Sequence, residues 1–277
     1  MNSRVSFPKR AIGVVAHPDD IEFLMAGTLL LLRQAGWEIH YLAVASGNCG
    51  STRDDAATTR RRRRAEAREA ARILGAHWHP SLTDDLEIVY QDSLIRALAA
   101  VIREVKPGIV LTHPPDDYME DHTATARLAV TAAFIRGMPN ARTVPKRAAA
   151  NFETMVYHAM PHGLRDPLRR RIVPGAYVNT TQVHATKLAA LAAHRSQQDW
   201  LQSSQGMNSY LQTMEVLSLE VGRMSGRFKH AEGWRRHSHL GFASEDADPL
   251  REVLGKNVFI NKTYEKNLQR GLITALP

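Results

Sequence analysis

The sequence predicts an α/β protein built on a doubly wound, mostly parallel, Rossmann-like sheet, with helices on both faces and an elaborated C-terminal third. Three observations predict it. Short apolar runs alternate with longer helical patterns from residue 11 to about residue 136, the alternation expected of a parallel sheet. The short runs are apolar almost throughout, as in strands covered on both faces. Loops rich in His, Asp and Gly follow the strand-like runs, on the edge where open α/β sheets bind ligands. The 277 residues contain no internal repeat and no Pro/Ser-rich linker. One domain over 1–277 is therefore expected, with a core at about 10–200 and a C-terminal elaboration at about 201–277.

Residues 11–16 read as the first strand and 22–35 as a helix, with Leu24, Leu29, Leu30 and Leu32 apolar and Gly36 as its stop. Ile39 to Val44 is a second strand, and Ser46-Gly47-Asn48-Cys49-Gly50-Ser51 is the loop after it. An arginine-rich amphipathic helix carrying Arg60 to Arg64, Arg68 and Arg72 ends at Gly75. His77 to His79 suits a short strand, and Asp92 to Val105 a helix closed by Pro107-Gly108. Ile109 to Thr112 is the next strand, opening into the polar run His113 to His122, after which a helix reaches about Arg136. Farther on, Met155 to His158 and Ala176 to Asn179 suit strands, and Val183 to His194 and Met207 to Gly226 helices. Trp234 to Phe242 and the stretch beyond Asp248 show no clear period.

Composition narrows the function. Lys and Arg exceed Asp and Glu by eight, and much of the excess lies on the arginine helix. That face is a solvated surface, or it sends one arginine, Arg64, into the cleft to hold a substrate hydroxyl or phosphate. Aromatic residues are 6% of the chain and are not interleaved with the basic ones, so nucleic acid is not the expected partner. No apolar run reaches the roughly 18 residues of a membrane span, and Met1 to Arg10 lacks the apolar core of a secretory signal. The single Cys49 excludes an internal disulfide and fits a reducing, cytoplasmic setting. Neither a G-x-G-x-x-G after the first strand nor a G-x-x-x-x-G-K-[ST] loop is present.

The chemistry concentrates in Ala16-His17-Pro18-Asp19-Asp20, at the end of the first strand. Pro18 suits the turn or a first helical position. Imidazole and carboxylate are ligands for zinc and similar divalent ions, and a catalytic zinc keeps three protein ligands with a place for water. His17 and Asp20 supply two ligands from one turn. A third comes from a neighbouring strand end, with His122 the leading candidate and His113 the other. Asp19 is then the general base for the water; the competing role for both Asp residues is to cap the following helix.

These residues carry a resemblance. Ala16-His17-Pro18-Asp19-Asp20, Gly47 and Gly50-Ser51 after the second strand, and Asp121-His122 after a later one are similar to the motifs of the LmbE-like / PIG-L family of N-deacetylases. His194-Arg195-Ser196-Gln197 and Ala231-Glu232-Gly233-Trp234-Arg235 resemble that family's C-terminal elements. The resemblance implies a fold of the kind predicted above and a zinc-dependent enzyme that removes an acyl group, usually acetyl, from the nitrogen of an amino sugar or glycoconjugate. It implies His17, Asp20 and His122 as ligands and Asp19 as base, with a metal-bound water as nucleophile and a homo-oligomeric assembly.

One position departs from the pattern. Many members carry a His three residues before the last ligand, credited with polarising the intermediate or protonating the amine; here Met119 stands there, and Asp121 loses the His it would orient. His158 and His162 are the candidate replacements. Ser51, Arg64, Tyr118 and His158 are the expected substrate contacts, Arg195 and Gln197 are further candidates for the cleft wall, and His194 is expected to be structural. The alternative function is a metal- and carbohydrate-binding protein of the same fold with altered catalysis.

Overall fold

A computed structural model describes residues 6–205 and 210–273. The elements follow one another as β1 (Arg10–Val15), α1 (Asp20–Leu24), α2 (Ala26–Gln34), β2 (Glu38–Ala43), α3 (Ala56–Leu74), β3 (His77–His79), α4 (Asp92–Val105), β4 (Ile109–Thr112), α5 (Glu120–Phe134), β5 (Met155–Ala159), β6 (Ala176–Asn179), α6 (His184–Leu191), α7 (Arg195–Gln205), α8 (Tyr210–Ser225), β7 (Ala231–Arg236), α9 (Pro249–Leu254), β8 (Val258–Ile260) and α10 (Lys262–Ile273). Among the described residues no helix is long and apolar enough to cross a membrane.

The strands form one sheet in the order β3-β2-β1-β4-β5-β7-β6-β8. From β3 to β5 every pairing is parallel, while β7, β6 and β8 join by antiparallel pairing. Period-two alternation explains why the parallel strands read as continuous apolar runs. Ala11 and Val15 face one core with Ile39, Tyr41, Ile109 and Leu111, under α2 and α3. Ile12, Val14 and Ala16 face the other with Leu42, Val44 and Val110, under α4 and α5. Both faces are covered, so neither needs polar residues.

The expected helix over 22–35 is broken. Met25 stands at φ −147°, ψ −4° between α1 and α2. The restart at Ala26 exposes fresh N–H groups to a partner from far along the chain. Glu232 on β7, a fully buried central position, accepts from Gly27 N–H at 2.8 Å, Thr28 N–H at 2.7 Å and Thr28 Oγ1 at 2.6 Å. Lys187 Nζ on α6 donates to the same carboxylate at 2.7 Å. A carboxylate at a helix N-terminus satisfies orphan donors and complements the helix dipole. Gly27 is required at this contact, because a Cβ there would lie 2.4 Å from Thr180 Cγ2.

β7 itself is invisible to pattern reading. Its sequence, Ala-Glu-Gly-Trp-Arg-Arg, mixes charge into a strand whose first four residues are buried. Trp234 is fully buried and donates Nε1–H to Thr28 Oγ1 at 3.0 Å. The expected helix over 207–226 corresponds to α8; residues 207–209 lie outside the described residues. The helix expected over 183–194 ends earlier, at Leu191.

Candidate metal centre and active site

Strand order reverses between β1 and β4, which lie side by side at the middle of the parallel part. Such a switch point opens a crevice at the carboxyl ends of the strands. β1 delivers His17, Asp19 and Asp20 to that crevice; β4 delivers His113 and Asp117, and the start of α5 adds Asp121 and His122. His17, Asp19, Asp20, Asp121 and His122, together with residues of α1, α3, α7 and α8, bound a cleft of about 420 Å³, within the range of small-molecule sites.

Asp20 Oδ2 is the focus. It accepts the backbone N–H of His17 at 2.8 Å and lies 3.6 Å from His17 Nδ1, 3.3 Å from His113 Nε2 and 3.5 Å from His122 Nε2. Burial acts to raise its pKa, but the flanking His122 and His113 outweigh it and hold the carboxyl well below the usual range. Ligand atoms of His17, Asp20 and His122 all fall within 4.8 Å of one another.

The hydrogen bonds separate the two candidate third ligands. His122 Nδ1–H donates to Asp117 Oδ1 at 3.1 Å, leaving the Nε2 lone pair facing Asp20. A ligating His held by a carboxylate is the usual second layer of a metal site. His113 Nε2 instead accepts the Ala16 N–H at 2.9 Å, so that lone pair is already engaged. Burial and the neighbouring His122 push the His113 pKa down to about 4. His17 resembles His122 in its hydrogen bonding: Nε2–H donates to Asp121 Oδ2 at 2.9 Å, leaving Nδ1 toward Asp20. Burial acts to lower its pKa, yet the bonds to Asp121 and Asp20 raise it to about 10. Asp121, expected to lack a partner opposite Met119, therefore orients His17 and also accepts Leu86 N–H at 3.0 Å. His17, Asp20 and His122 are a donor set suited to a divalent cation of the zinc class.

Asp19 is set apart from these. Its backbone is left-handed, at φ 101°, a conformation rare for a residue other than glycine and a frequent mark of functional sites. Its carboxylate accepts from the Tyr210 hydroxyl and, at 3.5 Å, from Arg63 Nη2. Burial raises its pKa, with Arg63 opposing and Asp20 adding to the rise. The Tyr210 hydroxyl is pushed well above its ordinary value by burial and by Asp19, so it stays a donor. Arg63, itself buried, also donates to the Pro18 carbonyl and to Gln197 Oε1. Gly47, at φ +79°, leaves room for it: a Cβ there would lie 2.6 Å from Arg63 Nε.

The expected substrate contacts divide. Tyr118 lines the cleft, 54% exposed and edge-on to His122 with ring centroids 5.7 Å apart. Gln197 lines it too, and so does His162, whose pKa is lowered by burial. Arg64 does not: it is exposed and lies over Trp78, 5.2 Å from the ring centre. Its neighbour Arg63 is the arginine that turns inward, one helical step of about 100° away. Ser51 caps a turn instead, accepting Arg53 N–H at 3.1 Å and Asp54 N–H at 2.9 Å, while Gly50 reaches the cleft. Arg195 is exposed and is not among the cleft residues. His194 is fully buried, 3.4 Å from Glu22, in the structural position expected.

His158 is also no part of the cleft. It sits on β5, 4% exposed, with Nδ1–H donating to the His113 carbonyl at 2.8 Å and Nε2 at 3.0 Å from His237 Nδ1. Burial pushes its pKa down to about 4. The unfolded chain, with an ordinary His pKa near 6.5, takes up a proton that the fold refuses, so stability falls as pH drops from about 6.5 toward 4. Urea unfolding at pH 5 and pH 7 is expected to show His158 contributing a loss on the order of 1–2 kcal/mol, which His158→Gln removes. An unchanged pH slope in that variant contradicts the burial argument.

The chain is similar to known proteins over most of its length. Residues 12–133 match the family described as PIG-L, GlcNAc-PI de-N-acetylase. A diacetylchitobiose deacetylase of Thermococcus kodakarensis is 28% identical over 239 residues, covering 82% of this chain and 82% of that protein. A 4-oxalmesaconate hydratase of Pseudomonas putida is 28% identical over 198 residues, covering 69% of this chain and 74% of that protein. The fold is shared with the N,N'-diacetylchitobiose deacetylase of Pyrococcus horikoshii, at a TM-score of 0.67 and 23% identity over 87% of this chain and 88% of that one.

Proposed function

We propose that this chain, whose residues 12–133 match the family described as PIG-L, GlcNAc-PI de-N-acetylase, removes an acetyl group from the nitrogen of an amino sugar or glycoconjugate, using Asp19 as general base beside a zinc-class ion held by His17, Asp20 and His122. The observation that carries the proposal is the division of labour between adjacent carboxylates. Asp20 is ringed by imidazoles at 3.3–3.6 Å. Asp19 is turned away by its left-handed backbone and tied to Tyr210 and Arg63 instead.

The ion, when bound, supplies Lewis acidity toward the amide carbonyl and makes water easier to deprotonate. The chain's own residues do the rest. Asp121 and Asp117 fix the tautomers and orientations of His17 and His122. Asp19 accepts the proton of the attacking water and returns it to the departing nitrogen, a dual use favoured by a carboxyl whose pKa burial has raised. This assigns the amine's proton without a His at position 119. Tyr210 and Arg63 hold Asp19 in place, and Phe23, Leu24, Leu86, Tyr118 and Leu201 supply the apolar wall against which a sugar ring packs. The lone exposed Cys49 supports a cytoplasmic setting.

A second reading, water addition to an unsaturated acid, is supported by the similarity to the 4-oxalmesaconate hydratase. Incubation of the zinc-loaded protein with N-acetyl amino sugars, their disaccharides and their glycosides, read by release of primary amine and acetate in equal amounts, tests the proposal. Amine release supports it. Binding without release, or loss of diene absorbance from an unsaturated dicarboxylate with no amine release, contradicts it. Asp117→Ala is expected to weaken zinc binding by about 10- to 100-fold, measured by competition with a chelator; unchanged affinity contradicts the role given to the His122–Asp117 bond.

A further inference from the structure

A second cluster lies outside the cleft. His184 is the first residue of α6, Glu215 is on α8, and His230 immediately precedes β7. Their ligand atoms fall within 4.8 Å of one another. The two imidazoles stack face to face, with centroids 3.9 Å apart and planes 6° from parallel. Both direct Nε2 at one carboxylate: His230 Nε2 lies 2.9 Å from Glu215 Oε1, and His184 Nε2 contacts Oε2. None of the three borders the cleft.

We propose that His184, Glu215 and His230 form a second divalent-cation site, of the zinc class, that fastens α8 to α6 and to the entrance of β7. Two imidazoles and a carboxylate are a sufficient protein set for zinc, with water completing the shell. The histidine side chains are nine-tenths or more buried, while that of Glu215 is 35% exposed, giving an ion an entry and the water a place. Hydrogen bonding alone leaves the cluster incomplete, because His184 Nδ1 and His230 Nδ1 are buried with no hydrogen-bond partner among the described residues. Burying polar groups without full pairing is costly; a cation held by the facing Nε2 atoms leaves both Nδ1 atoms as they are, and its binding to the folded chain adds stability against that cost. Lys187, one turn beyond His184, is already paired with Glu232.

The site has a consequence for the cleft. Glu215 is five residues after Tyr210 on the same helix, about 7.5 Å along its axis, and Tyr210 holds Asp19. An ion at the second site fixes the helix that positions the base.

Equilibrium dialysis of metal-stripped protein against buffered zinc, counted by elemental analysis, tests this independently of the first centre. Wild type is expected to bind two equivalents, His17→Ala/His122→Ala one, and the same double variant with Glu215→Ala none. Far-UV circular dichroism checks that each is folded, and His230→Gln replaces Glu215→Ala if the latter does not fold. Zinc is also expected to slow amide exchange along α8 in His17→Ala/His122→Ala. A folded double variant that binds no zinc, or that binds it as tightly after loss of Glu215 or His230, overturns the second site. A wild type that binds one equivalent, lost with Glu215 but kept in His17→Ala/His122→Ala, overturns the first site and leaves the second standing.

Discussion

Asp19→Asn is expected to leave the protein folded and its metal bound while lowering kcat by about two to four orders of magnitude. The substitution is chosen to change one property. Asn tolerates the left-handed backbone better than most residues, so the φ of 101° at this position is preserved at little cost. Its amide oxygen still accepts the Tyr210 hydroxyl bond that Asp19 accepts now. What it cannot do is take a proton from water or hand one to a leaving amine. KM is expected to change little, because Asp19 is asked to act on the water and the leaving group and not on the rest of the sugar. The readout is kcat and KM for amine release alongside zinc content. Normal turnover at full zinc occupancy would remove Asp19 from the mechanism.

Glu232→Ala is expected to destabilise the fold by about 3–5 kcal/mol, the cost of leaving a buried ionic partner unpaired. Glu232 is met by Lys187 Nζ, two backbone N–H groups and one hydroxyl, all within 2.8 Å. Its removal leaves the fully buried Lys187 ammonium with the Phe23 carbonyl at 3.1 Å and no counter-charge from position 232, and it uncaps α2, the helix that follows α1 and the His17–Asp20 turn. Lys187→Met is expected to cost less, since the helix donors remain to Glu232. Urea unfolding of the two variants measures the difference, and a Glu232→Ala loss of under about 1 kcal/mol, the size of a surface pair, contradicts the capping role.

The first half of the fold was legible because its determinants are local. Strands β1, β2 and β4 are apolar on both faces, and each ends in a loop that declares itself by His, Asp or Gly. His17, Asp20 and His122 could be proposed together because strand alternation implies that β1 and β4 end on the same edge. What was not legible depends on distance or on helical phase. Tyr210 reaches Asp19 across 191 positions, and nothing near Tyr210 in the sequence marks it. Glu232 caps a helix 205 residues earlier, so the charged strand that carries it resembles no strand pattern. The arginine run made one inward-turning arginine foreseeable, but choosing Arg64 over Arg63 required the phase of α3, which five consecutive arginines conceal. Ser51 and His158 misled for a related reason: a polar residue beside a strand end serves the cleft or the backbone, and only the packing decides. Asp121 shows the converse. Its expected partner at position 119 is absent, yet the fold supplies His17 instead.

The His17–Asp20–His122 centre is expected to support amide cleavage only with its metal bound. Protein stripped of metal by a chelator and titrated with zinc, with amine release from an N-acetyl amino sugar followed at each step, measures this. Activity is expected to be absent without metal, to rise with zinc occupancy in wild type, and to stay absent at any zinc concentration in His122→Ala. Full activity in the stripped protein, or recovery in His122→Ala matching wild type, would contradict the assignment.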